Sequence, residues 1–294
     1  MGYIDSESLV KKASFLRIQA QSLAEGMKNG NFRSLYRGQG VEFSGVRDYI
    51  RGDDVRSIDW NVTARMGRPY VKIFEEDREL QIFIVMDTSA SMFVDCGSRY
   101  PVKYQAAANL AALVVLAAEM NGCPVGAVFF DGKIHFSCVP QSGKERTMLL
   151  LTHLDKLPKQ RVNGSVLGNA LIGASNILRK RSLVFVISDF RSAGWETPLI
   201  QLAQKNDVIA LRLMDEFDRM LPSLGSVTFK DLESDIKMVL PTSSVHFREE
   251  WKNRSEAIAW RWRETCLKHG IMAQLLNVSD DPLQVLTHIF GEKK

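Results

Sequence analysis

The chain lacks most features that announce a chemistry. Its four cysteines, Cys96, Cys123, Cys138 and Cys266, stand far apart and form no C-x-x-C pair. That spacing excludes the common zinc ribbons and a disulfide framework, and it implies reduced, partly buried thiols. The longest apolar tract, 106–120, is broken by Asn109 and Glu119 and falls short of the ~20 residues that cross a bilayer. The N-terminal stretch after Lys11 and Lys12 is interrupted by Arg17 and Gln19, which argues against a secretory signal, so the expected location is the cytoplasm. Net charge is small: 38 Lys and Arg face 34 Asp and Glu, giving +4, too little by itself to imply nucleic acid. No repeat or low-complexity tail is present. No serine sits in a G-x-S-x-G elbow, and the histidines His135, His153, His246, His269 and His288 lack metal-ligand spacing and read as surface or helix-end residues. Gly38-x-Gly40 is not a phosphate loop, because the rest of that motif is missing.

What is present is a strong alternation of strand and helix signals. With 294 residues the chain is long enough for a full α/β domain and an extension. Residues 82–86 form a short apolar run with no polar face, as a strand covered on both sides requires. Residues 183–187 form a second such run, and strands are also expected over 125–130, 208–213 and 271–278. Helices are expected over 104–120, 145–157, 166–179, 198–204, 249–269 and 282–290. Asp131-Gly132 marks a turn into an antiparallel strand over 134–139. The predicted fold is therefore α/β, a doubly wound, mostly parallel, Rossmann-type sheet.

Two parts fall outside the alternation. Residues 1–78 read as a helix with an apolar stripe at Leu9, Ala13, Leu16, Ala20, Leu23 and Met27, followed by a strand-rich extension. The text from Phe32 to Arg78 is irregular, with a turn at Gly52-Asp53-Asp54 and a strand over 70–74. Its Arg and Asp residues suit a salt-bridged scaffold around Trp60, with catalysis or anionic-surface binding as alternatives. The main domain, 79–294, is interrupted at about 215–248 by an apparent hairpin, whose strands are expected to join the extension in a small second sheet. Trp251, Ile258 and Trp262 read as core on one side of a helix, and Trp260 as a partly buried boundary residue, with an exposed contact as the alternative.

The chemistry gathers at strand ends. Asp87, Ser89 and Ser91 offer oxygens on alternate residues just after the first apolar strand, and Asp189 follows the second. In an open parallel sheet such ends face one crevice, and Ser165, in the loop before a helix, can reach the same place. Magnesium takes oxygen ligands at ~2.1 Å and keeps waters, so a set of hydroxyls and few carboxylates suits it, with manganese or calcium as alternatives. An ion with so few anionic ligands attracts a carboxylate from a partner protein. The bare D-x-S-x-S pattern is equally compatible with a strand end followed by helix-capping serines. A magnesium-dependent phosphohydrolase using Asp87 as nucleophile would want a second carboxylate two residues on, where Ser89 stands.

Taken together, Asp87, Ser89, Ser91, Ser165 and Asp189 resemble the metal-ion-dependent adhesion site of von Willebrand factor A domains. Ser165 occupies a position where that pattern more often has threonine; serine keeps the hydroxyl and loses the methyl that fixes its rotamer. Residues 40–60, GVEFSGVRDYIRGDDVRSIDW, with Thr63-Ala64-Arg65 and Val71-Lys72, are similar to the bacterial domain-of-unknown-function family numbered 58. The resemblance implies a von Willebrand factor A-like domain behind this block and a partnership with MoxR-type AAA+ ATPases. Many relatives in that family carry N-terminal membrane helices, which the sequence does not show here, so the expectation is a non-enzymatic adaptor that holds a client protein through a metal-bridged carboxylate, with neither nucleic acid nor a direct membrane span.

Overall fold

A computed structural model describes residues 37–77, 80–94, 102–155, 166–230 and 237–291. The apolar stripe of the first helix, Cys96, the loop with Ser165 and the turn at Glu233–Asp235 lie outside the described residues. The chain runs from β1 (Arg37–Asp48) through a short helix α1 (Trp60–Met66) to β2 (Tyr70–Asp77). Then come β3 (Ile82–Asp87), α2 (Lys103–Met120), β4 (Val125–Phe130), β5 (Ile134–Gln141), α3 (Lys144–Asp155) and α4 (Leu167–Ile177). They are followed by β6 (Leu183–Ser188), α5 (Glu196–Lys205), β7 (Asp207–Met214) and the single turn α6 (Glu216–Arg219). The chain closes with β8 (Ser226–Lys230), β9 (Lys237–Pro241), α7 (Val245–Lys268), β10 (Met272–Asn277) and α8 (Pro282–Gly291).

Six strands form one sheet in the order β10-β7-β6-β3-β4-β5, parallel except for the last pair. The expected doubly wound α/β sheet is what the chain adopts. Alternation along β3 explains the two covers: Ile82, Ile84 and Met86 enter one core with α2 and α8, while Phe83 and Val85 enter the other with α4, α5 and Trp262. All six residues of β3 are buried, so neither face could carry the polar half of an amphipathic strand. Helix α2 is apolar around most of its circumference and twelve of its residues are buried, because β3, α3 and α8 all pack on it. Cys266 packs in the second core, where burial pushes its thiol up to about 12.

Because β3 connects to β4 on one side while β6 lies on its other side, strand order reverses at β3. The crevice at the carboxyl ends of β3 and β6 is thus the place where this fold presents ligand-binding loops.

Several expectations are corrected. Among the described residues, β1 pairs only with β2 and β8 only with β9, so the extension and the hairpin form two separate two-stranded sheets. The extension is strand-rich as expected, but β1 itself is unmarked in the sequence: it shifts register between Arg37 and Val41 and again between Phe43 and Gly45, which breaks the two-residue period that marks a strand. Trp60 is 66% exposed at the start of α1 and is not the centre of a scaffold. The acidic residues around it are local instead, with Asp59 capping α1, Asp54 capping the preceding 3-10 turn and Asp53 paired with Arg47. On α7, Trp262 is buried, Ile258 and Trp260 are exposed, and Trp251 is half-buried with its indole N–H donating to Phe217 O at 3.1 Å.

Candidate functional site

The end of β3 delivers Asp87 into the crevice with only 1% of its surface exposed. The backbone turns at once: Ser89 N–H donates to Asp87 Oδ1 at 2.8 Å, and residues 90–93 make a 3-10 turn that buries Ser91. The Ser89 and Ser91 hydroxyl oxygens stand 3.2 Å apart. Two oxygens on one edge of a magnesium octahedron are about 3 Å apart when each lies about 2.1 Å from the ion. The pair is therefore spaced as neighbouring ligands would be.

From the adjacent strand, Ser188 Oγ donates to Asp87 Oδ2 at 2.6 Å and accepts from Phe190 N–H at 3.0 Å. Phe190 takes a left-handed backbone at φ 55°, an uncommon conformation for a bulky residue. Its ring is held edge-on to Trp195 at 5.2 Å and tilted against Trp262 at 5.4 Å, so packing fixes the strained turn. That turn carries Asp189, which is 3% exposed. Its Oδ1 accepts from Arg191 N–H at 3.2 Å, while its buried Oδ2 accepts no hydrogen bond.

A buried carboxylate oxygen without a donor is costly unless a cation lies near it. Here Lys103 Nζ is 3.9 Å and Arg191 Nε 3.6 Å from Asp189 Oδ2. Burial, and then the charge of Asp189, push the Asp87 carboxyl up to about 7, against the hydrogen bonds from Ser188 and Ser89. Two buried carboxylates, two suitably spaced hydroxyls and one undonated oxygen are a donor set that fits a small divalent cation. Among the described residues no group of three or more His, Cys, Asp or Glu is arranged to hold a metal, so the candidate is poor in anionic ligands.

Of the five sequence-predicted residues, Asp87, Ser89, Ser91 and Asp189 are brought to this crevice, and Ser165 lies outside the described residues. Its neighbour Val166 donates to Asp131 O at 3.0 Å, which ties the start of α4 to the end of β4. Ser188, Lys103, Arg191 and Asp218 were missed. Only Ser188 had a signal, a hydroxyl beside Asp189. His135 is half-buried, and its Nε2 lies 2.8 Å from Thr88 Oγ1, itself a donor to Phe130 O. It is thus neither a free surface residue nor a helix end, and burial lowers its pKa.

Lys103, Arg191 and Asp218 connect the crevice to α6. Asp215 and Asp218 cap that turn reciprocally, and Asp218 is bonded by both Lys103 and Arg191. Glu216, Phe217 and Arg219 of the same turn line a groove of about 960 Å³ that runs on to Arg248 and Lys252 of α7. No helix among the described residues is long and apolar enough to cross a membrane.

Residues 45–259 match the model of a family described as protein of unknown function DUF58. Uncharacterized proteins of Mycobacterium tuberculosis and Mycobacterium bovis are each 30% identical over 239 residues, covering 80% of this chain and 74% of theirs. Among solved structures, the conserved hypothetical protein BatB from Bacteroides thetaiotaomicron overlaps 72% of this chain and 97% of its own at 16% identity and a TM-score of 0.47. The SpRpn10 VWA domain overlaps 72% of this chain and 95% of its own at 12% identity and a TM-score of 0.40.

Proposed function

The chain belongs to the DUF58 family, and from that membership, together with the donor set at the end of β3, we propose that it is a non-enzymatic adaptor that grips a partner protein through a divalent cation. Asp87, Ser89, Ser91 and Asp189 would hold the ion, with Ser165 as the fifth residue of the set, and magnesium is the cation favoured over manganese or calcium. The observation that carries the reading is the Ser89–Ser91 hydroxyl pair at 3.2 Å beside two buried aspartates, one with an undonated oxygen. In this reading the hydroxyls bind the ion directly and the aspartates act through bound water, so no anion of the chain touches it and a carboxylate from outside completes its shell favourably. The bound ion supplies that attraction; the chain's residues orient it and keep water from the inner side of the crevice.

The partner in this reading is a client protein presented to, or held against, a MoxR-type AAA+ ATPase, in the cytoplasm. The support for the ATPase is the resemblance of residues 40–72 and nothing in the fold. A scaffold role rather than phosphoester hydrolysis is favoured because the acid/base position two residues after Asp87 is Ser89, whose backbone N–H binds the Asp87 carboxylate at 2.8 Å.

The test is capture of partners from native lysate by the full chain, with magnesium and with excess chelator, using wild type, Ser89→Ala and Asp189→Ala. Capture should need magnesium and be lost in both variants while their circular dichroism is unchanged. Capture that survives chelation would overturn the reading. So would magnesium-dependent turnover of phosphate esters by the pure protein that disappears in Asp87→Ala.

A further inference from the structure

The side chain of Lys103 is 2% exposed, and lysine is almost never buried in this way without partners. Three carboxylates surround it unequally: Asp218 Oδ2 at 2.7 Å, Asp215 Oδ2 at 3.5 Å and Asp189 Oδ2 at 3.9 Å. The last is the oxygen that accepts no hydrogen bond. Asp218 is further held by Arg191, whose Nε also faces Asp189. Lys103 therefore stands between two sets of acceptors, one belonging to the candidate metal site and the other to the capped turn α6. Lysine differs here from arginine, because a compact ammonium on a flexible stem can shift between acceptors without having to present a planar fork.

A divalent ion at Asp87 and Asp189 would sit within a few ångströms of this ammonium and repel it. In the low-dielectric crevice that repulsion is poorly screened. The better acceptors on α6 draw the ammonium away from Asp189 and lower the repulsion. We infer that Lys103 is a positioning residue that sets cation affinity: its ammonium competes with the ion for Asp189, and Asp218 holds it back from that competition.

The inference rests on the metal-binding reading above, and its consequence is a pair of opposite effects. Removing the charge in Lys103→Met takes away the competitor and leaves Asp215 and Asp218 to attract the ion. Removing the restraining carboxylate in Asp218→Asn frees the ammonium for Asp189. Damage to packing alone would weaken binding in both variants. The experiment is calorimetric titration of magnesium into the full-length wild type, Lys103→Met and Asp218→Asn, with circular dichroism on each. Like charges a few ångströms apart change an equilibrium constant by more than an order of magnitude even at an effective dielectric of about 20, so Lys103→Met is expected to lower Kd by about tenfold or more. Asp218→Asn should raise Kd by roughly threefold or more on the same electrostatic grounds. Equal or weaker binding in a folded Lys103→Met overturns the inference. If that variant does not fold, unchanged or tighter binding in Asp218→Asn overturns it alone. No magnesium binding by the wild type defeats instead the proposal of a metal site, a distinguishable result.

Discussion

Ser188 Oγ donates a 2.6 Å hydrogen bond to Asp87 Oδ2, joining the ends of two neighbouring parallel strands across 101 residues of sequence. With Ser89 N–H on the other oxygen, both lobes of the Asp87 carboxylate are oriented before any ligand arrives. Such preorganisation suits a group that directs a cation and its water, since the carboxylate need not reorganise on binding. It suits a nucleophile less well, because each donor withdraws electron density from an attacking oxygen.

The Asp87 carboxyl, pushed up to about 7 chiefly by burial, makes metal-free stability depend on pH. Its folded pKa lies above the unfolded value of about 3.9, so between these values the folded state holds more protons than the unfolded one. This group's contribution to stability therefore declines as pH rises from about 4 to about 7 and is level above that. Thermal melts in chelator should show that decline, and Asp87→Asn should flatten it. Ser188→Ala removes a donor to the ionised form and should move the Asp87 midpoint upward, by up to about one pH unit, in a carboxyl NMR titration. A midpoint that stays put or falls would show that Ser188 does not stabilise the carboxylate.

The parts of the site that could be read from sequence are those whose position follows from a strand's end. Asp87 comes directly after one buried apolar run and Asp189 one serine after another, so the sheet itself places them together. Lys103 was illegible because a lysine at the start of a helix reads as solvated; its burial depends on Asp215 and Asp218, more than a hundred residues away. In the fold, the covered strands were plain, whereas β1 was hidden by two register shifts that destroy its alternation. Ile258 misled for a different reason: a helical stripe shows which residues share a side, but the exposure of that position is set by what packs there.

Gly126 offers a test of how closely β5 is bound to the sheet. A Cβ built on Gly126 would lie 2.7 Å from Pro140 N, 2.8 Å from Cys138 O and 2.9 Å from Val139 C, all backbone atoms of the edge strand. The same place has a register shift in the β4–β5 ladder between Val125 and Ala127, so a glycine permits the close approach. Gly126→Ala should destabilise the protein by roughly 1–3 kcal/mol, as overpacking does, and urea denaturation measures it. Because β5 is the sheet edge farthest from β6, magnesium affinity should be unchanged in the folded variant. A variant as stable as wild type would mean that the edge strand moves aside freely.

At the surface of the extension, Arg47 makes a two-pronged contact with Asp53, Nη1 to Oδ2 at 2.7 Å and Nη2 to Oδ1 at 2.8 Å. Ile50 N–H adds a third donor at 2.9 Å. The Arg47 hydrogen bonds first, and Ile50 second, hold the Asp53 carboxyl down to about 2. Because this pKa is depressed, whatever stability the pair contributes is present above the unfolded value of about 3.9 and is lost as pH falls through about 2. Solvent exposure and salt weaken such a pair, so its main effect is to hold the turn between β1 and α1 in shape. Arg47→Met should return the Asp53 titration toward the ordinary carboxylate range while leaving magnesium binding and partner capture intact. Loss of capture in a variant whose β1–β2 hairpin is still protected from hydrogen exchange would instead make this Arg/Asp block part of the contact surface. The exposed Trp60 and Ile50 beside it would then be the first positions to substitute.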